Sequence, residues 1–209
     1  MHPLILTTLL LGFGAEATRS AEPHTITAFD GSKVVLEAPR GGVLALVYYS
    51  SECPISNELS PLVNDVASAF PRDRVRLVGI AVDYDRSIDE LRDHARDHGY
   101  RHPCTLDRDG SLCRAFGASM TPEGVVIDDK GVVRYRGRLN DLYSARGKRN
   151  ANPSTHEFRD AVAAVLEGKE VPKPWPPAVG CPLPEFPETS KPETEPGVRR
   201  ALDPARTAR

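Results

Sequence analysis

Among the side chains of this sequence that could act as nucleophiles, Cys53 has the most telling neighbours. Gly42 to Tyr49 is a nearly continuous apolar run, the form of a central strand buried on both faces, and it leads through Ser50-Ser51-Glu52 to the cysteine. Pro54 follows; proline at the first helical position loses no hydrogen bond and presets the angle that starts a helix. A sulfur at such a junction faces the free N–H groups of the first turn and the positive end of the helix dipole. Sites of that kind lower a thiol pKa from about 8.5 towards ~3.5 to 7, each unit favouring the thiolate by about 1.4 kcal/mol. Glu52 would oppose the shift if its carboxylate pointed the same way. The plain alternative is that Cys53 only fills space, since free cysteines are among the most buried residue types.

The turn reads Cys53-Pro54-Ile55-Ser56, so a serine stands where a dithiol centre would have its second sulfur. A serine hydroxyl can donate a hydrogen bond to a thiolate but cannot resolve a mixed disulfide. A complete exchange cycle then needs Cys104, Cys113 or Cys181, and spacing alone does not choose among them. His94, His98 and His102 recur every four residues, and the first two would share a helix face at a separation that suits a metal. No carboxylate or cysteine spacing completes such a site, so these histidines are expected to be exposed and solvated, with no metal or cofactor required.

The elements that must position Cys53 follow from pattern. Two β-rich runs, Thr25 to Phe29 and Lys33 to Leu36, flank Asp30-Gly31-Ser32 as a hairpin. After Pro54, apolar residues at Ile55, Leu59, Leu62, Val63, Val66 and Phe70 trace one helical face, with Pro61 inside it as a bend. Val75 to Val82 reads as a second buried strand, and Ser87-Ile88-Asp89-Glu90 as a capping box opening a helix that closes near Gly99. Cys104 to Leu106 is a short extended piece, and Ser111 to Phe116 a short helix. Met120-Thr121-Pro122 is a turn, followed by a hairpin of Gly124 to Ile127 with Val132 to Arg136. A second capping box, Ser154-Thr155-His156-Glu157, should open the last helix, which ends at Gly168. The order describes an α/β sandwich: a central mixed sheet with helices on both faces and an N-terminal hairpin extension.

Composition bounds the functions. With 209 residues, 40% apolar and 27% charged, there is room for one packed domain with extensions. Opposing totals of 27 basic and 29 acidic side chains give no surfeit to attract nucleic acid or anionic lipid. Leu4 to Ala15 is almost wholly apolar and ends in small residues; it is too short to span a bilayer and suits a signal peptide, although Met1-His2-Pro3 lacks a positive charge. The expected division is a signal over 1–21, a domain over 22–170, and a tail over 171–209 holding ten of the 19 prolines, extended and mostly unpacked. Export to the periplasm or beyond, with no transmembrane span after cleavage, would put the cysteines where disulfides persist.

The Cys53-Pro54-Ile55-Ser56 turn, Pro61 in the following helix and Thr121-Pro122 before a strand resemble the thioredoxin-like superfamily. Its active-site turn, helix-bending proline and cis-proline occupy matching places. More closely, the chain resembles exported redoxin-domain proteins of the alkyl hydroperoxide reductase/thiol-specific antioxidant type. The likeness runs roughly from Thr25 to Leu183, on Cys53-Pro54-Ile55-Ser56-Asn57, Thr121-Pro122-Glu123, Tyr135-Arg136-Gly137-Arg138, Asn140-Asp141, Gly147-Lys148-Arg149 and Gly180-Cys181. The resemblance implies a thioredoxin fold, a nucleophile at Cys53, Ser56 orienting it, and Thr121 with a cis Pro122 opposite the sulfur to pair with an extended substrate. Gly180-Cys181 lies in a segment with little other reason to order, which ranks Cys181 first as resolving partner; Cys104 and Cys113 would be a structural pair or core packing.

Two activities fit this resemblance: exchange with a protein thiol or disulfide, and reduction of a peroxide, either one needing a thiol electron donor. Leu46 stands where typical peroxiredoxins have a proline and Ser50 where they have a threonine or serine, so half of that motif is present and exchange is favoured. A copper-delivering relative would need a second cysteine where Asn57 stands. A catalytically silent module that binds a protein through its tail is the remaining reading.

Overall fold

The computed structural model describes residues 24–187, so the expected signal segment lies outside the described residues. The elements in chain order are β1 (His24–Thr27), β2 (Lys33–Leu36), β3 (Val43–Tyr49), α1 (Pro54–Ala69), β4 (Val75–Ala81), α2 (Ile88–Asp97), β5 (Cys104–Leu106) and α3 (Ser111–Phe116). They continue with β6 (Met120–Thr121), β7 (Glu123–Asp128), β8 (Val133–Gly137), β9 (Tyr143–Ala145), β10 (Lys148–Arg149), α4 (Glu157–Leu166) and β11 (Cys181–Pro182).

The main sheet has the order β5-β4-β3-β7-β8, with β3 parallel to β4 and antiparallel to β7. The apolar run before Cys53 is its central strand, and all seven residues of β3 are buried. Alternation divides them between two layers. Val43, Ala45 and Val47 pack with Ile55, Leu59, Val63 and Val66 of α1 and with Phe158 and Val162 of α4. Leu44, Leu46 and Tyr48 face the other way, onto Leu112, Cys113 and Phe116 of α3. Helix α2 buries Leu91 and Ala95 in a third cluster with Tyr49 and Cys104. Full burial of a side chain such as Phe158 contributes about 1.5–3 kcal/mol, and a Cβ at Gly124 would overlap its ring.

The hairpin β1–β2 and the hairpin β7–β8 form as the sequence indicates. The first capping box also forms, with Ser87 and Glu90 bonding each other's backbone amides. The second does not: α4 starts at Glu157 without a side-chain cap. The amide and hydroxyl of Ser154 go to Asp141 instead, and Glu157 accepts from Arg138 Nε at 2.8 Å, so tertiary partners outcompete the local motif.

Residues 171–187 are extended, and their apolar side chains lie against the domain. Val171, Trp175 and Cys181 lie against the α1 layer, and Leu183 and Phe186 against the α3 layer. The Trp175 ring sits 6.0 Å from Tyr135, and the Arg138 amide donates to the Pro176 carbonyl at 3.2 Å. Apolar side chains between prolines anchor this strap, and proline lowers the entropy lost in ordering it.

Candidate active site

Cys53 is the N-cap residue of α1, with extended backbone (φ −85°, ψ 112°) and Pro54 directly after it. The first turn therefore offers its N–H groups to the sulfur. Burial alone would raise this thiol's pKa. Hydrogen bonds from the Cys181 thiol, the Ser56 amide and hydroxyl, and the Ile55 amide outweigh burial and hold it below the ordinary value. Ser56 Oγ also accepts from the Ser50 amide at 3.4 Å.

The turn from Ser50 to Cys53 is fixed by residues that sequence reasoning missed. Asp83, just beyond β4, accepts from Ser50 Oγ at 2.6 Å and from the Ser51 amide at 2.9 Å. Asn57 donates to the Ser51 carbonyl at 3.0 Å, and its own Oδ1 contacts His94 Nε2 at 2.9 Å. Glu52 does not face the thiol: its carboxylate is 64% exposed and pairs with Arg86. The opposition it could have offered is directed into solvent and neutralised there.

Opposite the sulfur lies β6. The Thr121–Pro122 peptide is cis, Thr121 is fully buried, and its carbonyl accepts from Cys53 Sγ at 3.4 Å. Glu123 ties down the approach to this turn by accepting from the amides of Ser119 and Met120 at 2.6 and 3.3 Å. Strand β11 pairs antiparallel with β6, placing Cys181 against Thr121 and Pro182 against Met120. Thr121 Oγ1 donates to the Cys181 carbonyl at 3.3 Å. Gly180 makes this approach possible, because a Cβ there would overlap the Thr121 carbonyl oxygen. Burial, then its bond to Cys53, pushes the Cys181 thiol up to about 11, while the nearby Arg146 works the other way.

Of the sequence candidates, then, Cys53, Pro54, Ser56, Thr121, Pro122 and Cys181 come together. Cys104 and Cys113 do not join them. Both are reduced and sit in clusters different from each other and from that of Cys53; Cys113 lies on the opposite face of the sheet, and Cys104 lies at its β5 edge. Burial pushes Cys104 up to about 12 and raises Cys113 as well. The histidines also differ from expectation, since all three are half-buried. His94 stacks on His98 with ring centroids 4.1 Å apart, and burial lowers His102 to about 4. Among the described residues no group of three or more His, Cys, Asp and Glu side chains is placed to hold a metal. Nor is any described helix long and apolar enough to cross a membrane.

A central mixed sheet, a cysteine opening α1 and a cis-proline turn facing it define a thioredoxin-like redoxin. The model of the AhpC/TSA family matches residues 17–136, more than half of the chain, and the chain belongs to that family. Similar solved structures include an uncharacterized conserved protein from Geobacillus kaustophilus, 26% identical over 82% of this chain and 93% of its own, with a TM-score of 0.66. A secreted Mycobacterium tuberculosis disulfide oxidoreductase homologous to Escherichia coli DsbE shares the fold at 19% identity, covering 68% of this chain and 96% of its own, with a TM-score of 0.51. Thiol-disulfide oxidoreductase ResA from Bacillus thuringiensis is 21% identical over 118 residues, 56% of this chain and 67% of ResA.

Proposed function

We propose that this protein is an exported thiol–disulfide oxidoreductase in which Cys53 and Cys181 form the redox pair. The observation that carries this reading is the pairing of β11 with β6, which sets Cys181 opposite Thr121, the residue whose carbonyl accepts from Cys53 Sγ at 3.4 Å. The similarity to ResA, named a thiol-disulfide oxidoreductase, supports it. Oxidation joins the two sulfurs and takes two electrons from the pair; reduction by an external thiol donor returns them. Ser56 steadies the Cys53 thiolate, the Thr121 carbonyl and cis Pro122 shape the other wall, and Cys181 supplies the sulfur that the Cys-x-x-Ser turn lacks. The apolar stretch Leu4 to Ala15 supports export, which would keep the pair in an oxidising compartment.

The peroxidase reading draws on the family and on Ser50. That hydroxyl is committed to Asp83, however, and Leu46 is a fully buried strand residue, so neither forms a peroxide cradle. The test is turnover of a protein disulfide with a thiol donor, with hydrogen peroxide consumption measured alongside. Cys53→Ser should lower exchange by at least about a hundredfold. Exchange retained in that variant, or peroxide consumed faster than disulfide, would overturn the proposal.

A further inference from the structure

The two sulfurs differ in who can reach them. Cys53 is 1% exposed, whereas Cys181 keeps part of its surface open to solvent. The strap of residues 171–187 lies beside Cys53: its β11 pairs with Thr121, whose carbonyl accepts from Cys53 Sγ, and its Val171, Trp175 and Cys181 pack on the cluster that contains Cys53. A Cβ at Gly137 would overlap the Pro176 carbonyl, one at Gly180 the Thr121 carbonyl, and one at Gly110 the ring of Phe186. Gly110 and Gly137 in the domain and Gly180 in the strap itself thus permit close approach at three points along its length. The strap also occupies the backbone of β6, the edge beside the sulfur where an extended polypeptide would add as a strand. A substrate cannot pair with Thr121 in that way while Cys181 does.

We propose that the sulfur which engages external thiols is Cys181, with Cys53 as the covered partner that leaves and returns; this deepens the reading above and rests on its Cys53–Cys181 pair. In the oxidised protein an external thiolate attacks Cys181 Sγ. A new bond forms between that sulfur and the thiol, the Cys53–Cys181 bond breaks, and its electron pair stays on Cys53 as thiolate. A second thiol then attacks the external sulfur, releasing a small-molecule or peptide disulfide, and Cys181 departs and takes up a proton. Two external thiols are oxidised and the pair gains their two electrons. Exchange is faster when the departing sulfur is the more stable thiolate and the attacked sulfur the more accessible one. The amides of Ile55 and Ser56 make Cys53 that leaving group, and Arg146 beside Cys181 offsets the charge of an incoming thiolate. The class of partner follows: a small thiol, or a cysteine on a flexible loop, recognised at Cys181 without strand addition.

The experiment uses the full chain, oxidised to the Cys53–Cys181 disulfide and mixed with excess glutathione. Samples are quenched in acid from the first milliseconds onward, alkylated, and mapped by mass. Glutathione should appear on Cys181 and the alkyl group on Cys53, by at least about a tenfold excess over the reverse arrangement. Glutathione on Cys53, or on both in similar amounts, would overturn the inference while leaving the redox pair intact. Failure of oxidation to join Cys53 to Cys181 would instead remove the pair, and both proposals with it.

Discussion

The starts of α1 and α3 pose the same problem and solve it with different anions. At α1 the free amides of Ile55 and Ser56 turn to the Cys53 sulfur. At α3 the carboxylate of Asp107 accepts the amides of Leu112 and Cys113 at 3.2 and 2.8 Å, and the Cys113 thiol is left to pack in the core. The two thiols are similarly covered, 1% exposed for Cys53 and 3% for Cys113, yet their pKa values move in opposite directions. Burial raises both thiols, and at Cys53 the hydrogen bonds of the helix start outweigh it. At Cys113 those bonds have gone to Asp107, whose carboxylate raises the thiol further.

The largest effect that tests this contrast is on activity. Cys53→Ser should abolish exchange, while Cys113→Ala and Cys104→Ala should leave the exchange rate within about twofold, measured on the same disulfide substrate. Comparable losses in all three would mean the buried thiols are not separate in role. Next in size is Gly180→Ala. Displacing the strap from Thr121 should raise the alkylation rate of Cys53 by at least about tenfold, read by mass after timed quenching; an unchanged rate would show that residues 180–182 are not its cover.

A smaller effect concerns how the turn is held. Asp83→Ala strips acceptors from Ser50 Oγ and the Ser51 amide and should cost about 1–3 kcal/mol in denaturant unfolding, whereas Asp83→Asn should recover part of it. The smallest is pH dependence, where the sign is the test. Cys104 is raised by burial from 9.0 to about 12, so the folded protein keeps a proton that the unfolded chain loses, and stability should fall as pH rises through that window. Cys53 is lowered, so its contribution should instead be lost as pH falls through its folded pKa. Comparing Cys104→Ala and Cys53→Ala with the natural protein across pH should give differences of opposite slope; parallel slopes would contradict the assignment of causes.

The sheet was readable because its signals are local. The apolar run ending at Tyr49, the offsets along α1 and the Ser87-to-Glu90 box each specify an element within a few residues. Cys53, Pro54 and Thr121-Pro122 were legible for the same reason. Asp83 and His94 were not, since Asp83 acts on the turn across more than thirty residues and His94 through Asn57, whose own bond to the Ser51 carbonyl is local but has no sequence signature. The second capping box misled because Asp141 and Arg138 claim Ser154 and Glu157 from a distance. Proline content alone points to an unpacked tail. Proline forbids a helix there, but it leaves Trp175, Cys181 and Phe186 free to pack.

Ribosomes make β3, α1 and β6 well before they reach Gly180-Cys181-Pro182. Throughout that interval the β6 edge beside Cys53 stands without β11, and the Cys53 thiol is made before Cys181 exists to lie near it. Biosynthesis thus contains an interval of mispairing hazard that ends only when the strap arrives. A protease nick in the strap would reopen the same hazard in the mature protein.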